Sequence, residues 1–566
     1  MTRKRELAWV LLGALAIALA WTWPLASRLT EVLPYDARFT PSSRGSDTHQ
    51  YVWNLWWVGE ALSGARNPFE CPLIFHPHGH SLALHTHAFA DGVLAWPLRA
   101  LFGLPAAFNL TLIAQLAAAL AAAYGLGRML RLPPAAAALL AFGWACSPYF
   151  AQKSLEHLSY AAHPWAPLMW LALLGWRRAP DDVRARLWAL CAGVAAGLGV
   201  LTDPIGGAWQ ALLGLLVGGF ALGSAPALAQ RARWSGVWLV PTAFLLVCAP
   251  YLRALVAELA SLARASGPDL LGRGQLYHAR LADFFAPAGL HPLVDGLGAG
   301  APLANHAWDG ARPETSALCV GYALLGLAVL ACALRSDARR LVWVALPLWL
   351  LCWDPGPDPE GWLSSLYRAL PLGEALRVPA RAFSAFHLAL CVAAGMGAAS
   401  LLARRHGVRW LGLVAALALF EWVHVPLTTA RWNVPRAVSA IARETGSGAV
   451  CVLPFRPGAY ASMSWQTVHG KPVTWSYVAR TNPAVLERWR IEAPQLFAFA
   501  LGEVSPEPAA LAAELTRLDV EHVLVPLDEL ADPGLVADVL DRMPAWTRQQ
   551  DDGAIGWWRR DRYRDR

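Results

Sequence analysis

A few isolated carboxylates and a pair of arginines four residues apart are the side chains here best suited to chemistry at a surface. Asp47 stands in "GSDTHQYVWNLWW" (45–57), and Glu156 and His157 stand in "KSLEHLSYAAHPW" (153–165). Glu314 lies in "RPETSALCVGY" (312–322), and Arg377 and Arg381 open and close "RVPAR" (377–381). A carboxylate can take the proton of an attacking hydroxyl. The planar guanidinium fork suits a phosphate and can meet the charge that develops on a departing one. Each residue also has a plainer use. Asp47 can cap the helix that follows it, Glu156 and His157 can sit in a solvated loop, and the arginines can snorkel to lipid headgroups. "FHPHGHSLALHTH" (75–87) adds His76, His78, His80, His85 and His87. Their spacing, with no cysteine or adjoining carboxylate, matches no closed zinc site. His85 and His87 are therefore loop candidates that hydrogen-bond rather than ligate.

The elements that must position these groups are apolar. The chain of 566 residues is 56% hydrophobic and 15% charged, with 29 Trp. Repeated apolar runs of about 20 residues mark a polytopic membrane protein. They fall near 7–27, 106–127, 133–150, 158–176, 187–203, 205–223, 235–254, 316–334, 341–353, 382–403 and 409–426. "MTRKRELAWVLLGALAIALAWTWPLAS" reads as a retained signal anchor with its amino end inside. Alternate loops then carry Arg128 and Arg131, Arg177 to Arg186, Arg231 and Arg233, Arg335 to Arg340, and Arg404 to Arg409. This is the positive-inside pattern, so the net charge of +7 marks topology and gives no sign of a nucleic-acid partner. The nine cysteines form no CxxC pair and read as small buried hydrophobes. No GxxxxGK[ST] loop and no HExxH helix is present.

The expected fold is a polytopic α-helical membrane protein of about eleven transmembrane helices, amino end in and carboxyl end out. Residues 1–426 form the membrane domain, with outer loops at 28–105, 254–315 and 354–381. Residues 427–566 form a small extracytoplasmic α/β domain, with strand-like runs "AVCVLPF", "VEHVLVPL" and "AIGWWRR". In the first outer loop, Val52, Leu55, Trp56, Gly59 and Leu62 recur at helical spacing, which suggests a helix lying in the membrane interface. "FADGVLAWPLRALFG" (89–103) suggests a second. Under this topology Asp47, Glu156, Glu314, Arg377 and Arg381 all face outward.

"GSDTHQYVWNLWW", "NPFECPLIFHPHGHSLALHTHAFADGVLAWPLRALFGLPAAFNL", "SPYFAQKSLEHLSYAAHPWAPLMW" and "RVPARAF" together resemble bacterial membrane proteins of the GT-C glycosyltransferase superfamily, over about residues 1–390. The resemblance implies an inverting transferase that moves a sugar from a polyprenyl-phosphate donor to a glycan, lipid or protein acceptor at the outer face of the plasma membrane. It implies Asp47 as catalytic base, Glu156, His157 and Glu314 as residues positioning acceptor or metal, and Arg377 and Arg381 as contacts to the donor phosphate. Asp47 stands without the second acid of a DxD pair, and the second loop offers Glu-His rather than two acids. A divalent cation, Mg or Mn, therefore stays open as cofactor. Two rival readings remain: a transporter or flippase of a lipid-linked saccharide, and a non-catalytic scaffold for envelope assembly. A transporter places ionisable groups near the bilayer midplane, whereas these candidates cluster at one surface.

Overall fold

The computed structural model describes residues 3–35, 46–161, 164–219, 231–265, 279–285, 291–293, 318–353, 365, 378–455, 460–503, 505–530, 532–549 and 555–561. Its longer helices are α1 (Arg3–Trp21), α2 (Asp47–Ser63), α3 (Phe89–Phe102), α4 (Leu104–Met129), α5 (Pro134–Ala145), α6 (Pro148–Glu156), α7 (Trp165–Arg178), α8 (Asp182–Thr202), α9 (Pro204–Gly219) and α10 (Arg231–Ala265). They continue with α11 (Tyr322–Leu334), α12 (Ser336–Cys352), α13 (Phe383–Leu402) and α14 (Gly407–Trp422). Each of the eleven apolar runs overlaps at least one of these helices, and the run 133–150 is divided between α5 and α6. Among the described residues, four helical segments are long and apolar enough to cross a membrane: Leu104–Met129, Asp182–Thr202, Gly236–Leu262 and Pro379–Leu402. A fifth candidate is α5 with α6, bent by 41°.

The chain divides into two compact units. The first comprises 1–39, 106–249 and 271–430. At its centre is α13, whose residues from Phe383 to Ala398 are all buried, packed by α5, α9, α11, α12 and α14. Its small residues permit the close approach on which helix association in a membrane depends. At Gly397 a Cβ would lie 2.0 Å from the Leu327 carbonyl oxygen, so no larger residue fits there. The outer helices turn large apolar side chains outward. Trp9, Leu12, Leu246, Val408 and Leu413 are all exposed, as hydrocarbon contact requires. Asn109, in the sequon-like "NLT", is buried and donates to the Leu29 and Val32 carbonyls at 2.9 and 2.8 Å. It is thereby a structural amide.

The second unit comprises 40–105, 250–270 and 431–566. Its sheet has strands β1 (Ala449–Val452), β2 (Val520–Pro526), β3 (Trp546–Arg548) and β4 (Ile555–Arg560) in the order β1-β2-β4-β3. The β1 and β2 pair is parallel and the others are antiparallel. β1, β2 and β4 lie on the runs "AVCVLPF", "VEHVLVPL" and "AIGWWRR". Side chains alternate across a pleated strand, and here both faces are covered. Cys451, Val523, Val525 and Trp558 join Trp489, Leu496, Leu511 and Leu540 on one face. Val450, Val452, Leu524 and Trp557 join Trp53, Trp57, Ile441 and Met463 on the other.

This second face corrects one expectation. The helix after Asp47 does not lie in a membrane interface: twelve of the seventeen residues of α2 are buried, including Tyr51, Trp53, Trp56 and Trp57. A helix apolar all round is a core helix, and the residues that cover it come from 437–478 and 524–557. Its polar groups are satisfied inside. The Trp53 indole N–H donates to Gln466 Oε1 at 2.7 Å, the Trp57 indole N–H to the Pro68 carbonyl at 2.9 Å. Truncating either tryptophan to alanine should cost roughly 3–5 kcal/mol. The helix at 89–103 differs. α3 leaves Val93, Leu94, Trp96, Leu101 and Phe102 exposed, an apolar stripe of the kind an interfacial helix presents.

Candidate active site

In the second unit, the chain enters α2 through a capping arrangement that fixes Asp47. Ser46 is the N-cap residue, and its backbone N–H donates to His49 Nδ1 at 3.1 Å. Asp47 is therefore the first helical residue and the acid of the first turn, where the partial positive charge of the helix end favours a carboxylate. It is only partly exposed. Desolvation pushes His49 down to about 4, so this imidazole is neutral at pH 7.

His85 lies within electrostatic reach of Asp47 and is held from two sides. Its Nδ1 accepts the Ala479 N–H at 3.1 Å, so its Nε2 carries the proton and donates to Asn54 Oδ1 at 3.0 Å. The Asn54 amide in turn donates to the Thr86 carbonyl at 2.7 Å, and Gln50 donates to the Thr86 hydroxyl at 2.6 Å. One polar edge of α2 thus locks the 85–86 loop beside the acid. His80 is held in the same way, with Nδ1–H to the Ser81 carbonyl at 2.5 Å and Nε2 accepting the Asn482 N–H at 3.0 Å. Burial pushes His80 and His87 to about 4, and drives His85 well below its usual range against the opposing pull of Asp47. The nitrogens of His80 and His85 are used in hydrogen bonds, so these rings are hydrogen-bonding loop residues. His87 packs edge-on to Phe69, ring centroids 5.3 Å apart.

In the first unit, α6 restarts after a break at the end of α5 and leads into the second loop at its C-terminal end. Ser147 precedes Pro148, a proline at the first turn that starts α6 anew. Glu156 ends α6 and His157 is its C-cap. The Tyr160 backbone N–H returns to the His157 carbonyl at 2.9 Å, and the two rings meet edge to face at 5.9 Å. Tyr160 then stacks on Arg381, with the guanidinium carbon 4.1 Å from the ring centroid. Arg381 lies in the short 3-10 turn Pro379–Ala382 ahead of α13 and is 7% exposed. Its Nη1 donates to the Tyr160 hydroxyl, which also hydrogen-bonds the Asp203 carboxylate.

The structure thus gathers Glu156, His157 and Arg381 in one neighbourhood of the first unit, and Asp47, His85 and His87 in one neighbourhood of the second. Glu314 and Arg377 lie outside the described residues. Neither Tyr160 nor Asp203 is among the residues that the sequence singles out for chemistry. The signal for Asp203 was its place in "TDP", since an aspartate at a helix break is expensive in a membrane unless it is used. Among the described residues no three His, Cys, Asp or Glu side chains come together as metal ligands.

With this geometry in hand, the fold is one shared with solved structures of an arabinofuranosyltransferase and an oligosaccharyltransferase. The chain is similar to the arabinofuranosyltransferase AftD from Mycobacteria, with 14% identity and a TM-score of 0.59 over 99% of this chain and 40% of that one. It thus spans about two-fifths of the length of that relative. It is also similar to the Archaeoglobus fulgidus oligosaccharyltransferase in the apo form, with 13% identity and a TM-score of 0.51 over 93% of this chain and 70% of that one. The same oligosaccharyltransferase, tethered to an acceptor peptide containing the NVT sequon, gives 14% identity and 0.50 over the same shares. No family model and no curated protein sequence matches the chain. At these identities the likeness is one of fold.

Proposed function

We propose that the chain is an inverting glycosyltransferase that takes a sugar from a polyprenyl-phosphate donor and passes it to an envelope acceptor at the outer face of a bacterial plasma membrane. The observation that carries this is the overlay of nearly the whole chain on an arabinofuranosyltransferase. Fold alone does not fix function, so the site must supply the chemistry. In a single displacement the acceptor oxygen attacks the anomeric carbon from the side opposite the lipid phosphate. Asp47 takes the acceptor's proton, and the C–O bond to phosphate breaks with its electron pair leaving on the phosphate oxygen. Arg381 and Arg377 meet that negative charge, and Glu156, His157 and Glu314 orient the acceptor. The two imidazoles near Asp47 are neutral at pH 7, so neither pairs with its carboxylate as an imidazolium and weakens it as a base. His85 and His87 belong to the loop that supports this acid.

On this reading the protein crosses the membrane about eleven times with its amino end inside, and 427–566 lies outside the cytoplasm. The test is to give the purified protein radiolabelled polyprenyl-phosphate pentoses and hexoses, with its own membrane extract as acceptor, alongside Asp47→Asn. Transfer by the wild type and none above background by the variant is expected. Equal transfer by both removes Asp47 from the chemistry.

A further inference from the structure

We propose that Tyr160 and Asp203 are positioning residues for the donor phosphate: they hold the Arg381 guanidinium in one plane and one orientation. This rests on the reading of Arg381 as a phosphate contact. Arginine loses rotamer entropy at any site that must fix it, and this side chain is held on a face and on an edge. The Tyr160 ring covers the guanidinium face at 4.1 Å, a cation–π contact that gains when water is excluded. The Tyr160 hydroxyl accepts from Nη1. A phenol has one proton to give, and here it goes to the Asp203 carboxylate.

Asp203 is itself anchored to backbone. Its Oδ1 accepts the Ile205 N–H at 3.2 Å and its Oδ2 the Gly206 N–H at 2.8 Å, both in the first turn of α9. A Cβ at Gly206 would lie 2.3 Å from Oδ2, so glycine is what lets the carboxylate seat there. Asp203 is 1% exposed, and its carboxylate compensates the charge of the buried Arg381 guanidinium. The chain of contact therefore runs from the α9 backbone through Asp203 and Tyr160 to Arg381. Arg381 reaches the donor already oriented.

The experiment is equilibrium binding of radiolabelled polyprenyl phosphate to the full chain in lipid nanodiscs. It compares wild type, Tyr160→Phe, Arg381→Lys and the double variant, with thermal midpoint and elution volume recorded for each. Tyr160→Phe keeps the ring and loses the link to Asp203. It should raise the Kd about 3- to 10-fold, in the range of one lost hydrogen bond of ordinary strength. Arg381→Lys should raise it more, and the double variant should bind no more weakly than Arg381→Lys alone. Asp203→Asn should behave as Tyr160→Phe does; if it fails to fold, Tyr160→Phe carries the test. Wild-type binding by Tyr160→Phe overturns the positioning role and leaves the reading of Arg381 intact, as does an equal loss on adding Tyr160→Phe to Arg381→Lys. Wild-type binding by Arg381→Lys overturns that reading and this inference with it.

Discussion

Acidification should weaken the second unit through His80, and the amount follows from its surroundings. The ring donates from Nδ1 to the Ser81 carbonyl and accepts the Asn482 N–H at Nε2. A second proton would set two donors against each other, so the folded state holds the ring neutral and burial lowers its pKa from 6.5 to about 4. In the unfolded chain the same ring takes its proton near 6.5. The stability due to neutral His80 is thus intact above pH 6.5 and is lost as the pH falls from there towards 4. At about 1.4 kcal/mol per pH unit, roughly 2 kcal/mol is lost by pH 5 and about 3 kcal/mol in all. His87, His469 and His522 push in the same direction, so a variant must isolate His80. The assay is chemical unfolding in detergent micelles at pH 7 and pH 5, followed by tryptophan fluorescence, for wild type and His80→Gln. The stability gap between the two proteins should shrink by about 2 kcal/mol at the lower pH. A gap that does not change with pH would refute the reasoning.

Three further outcomes follow from the geometry. Gln466 receives the Trp53 indole and donates to the Leu73 and Lys471 carbonyls, so Gln466→Leu should cost about 2–4 kcal/mol of stability by stranding buried polar groups, read by the same unfolding assay. Gly206→Ala should displace the Asp203 carboxylate and weaken polyprenyl-phosphate binding about as much as Tyr160→Phe does, since each breaks the support of Arg381; the nanodisc assay reads it. An activity profile against pH should show no step near 6.5 from His49 or His85, because both are neutral well below that value; such a step, abolished by His85→Gln, would contradict their surroundings.

The helices of the first unit were legible because a long apolar run in a membrane has one way to satisfy its backbone. Hydropathy alone therefore found the segments that became α1, α4, α5 and α7–α14, whereas most of α6 falls in a stretch read as an outer loop. The surroundings of α2 were not legible. Its tryptophans recur at a spacing that fits an interface, and what covers Trp53 and Trp57 is a sheet and helices more than 370 positions further along the chain. Local periodicity reports that a face is apolar and says nothing of what meets it. In the histidine loop, the partners of His80 and His85 near 479–482 could not be seen from spacing. The same holds for Arg381, whose stacking on Tyr160 joins residues that no local motif connects.

The measurement that bears most directly on the central claim is the single-turnover rate of sugar release or transfer from a polyprenyl-phosphate sugar by Asp47→Asn and by wild type, with donor affinity determined in parallel. If Asp47 is the base, the rate should fall by about 10²–10⁴ while donor binding is unchanged. A variant that turns over at the wild-type rate would contradict the account.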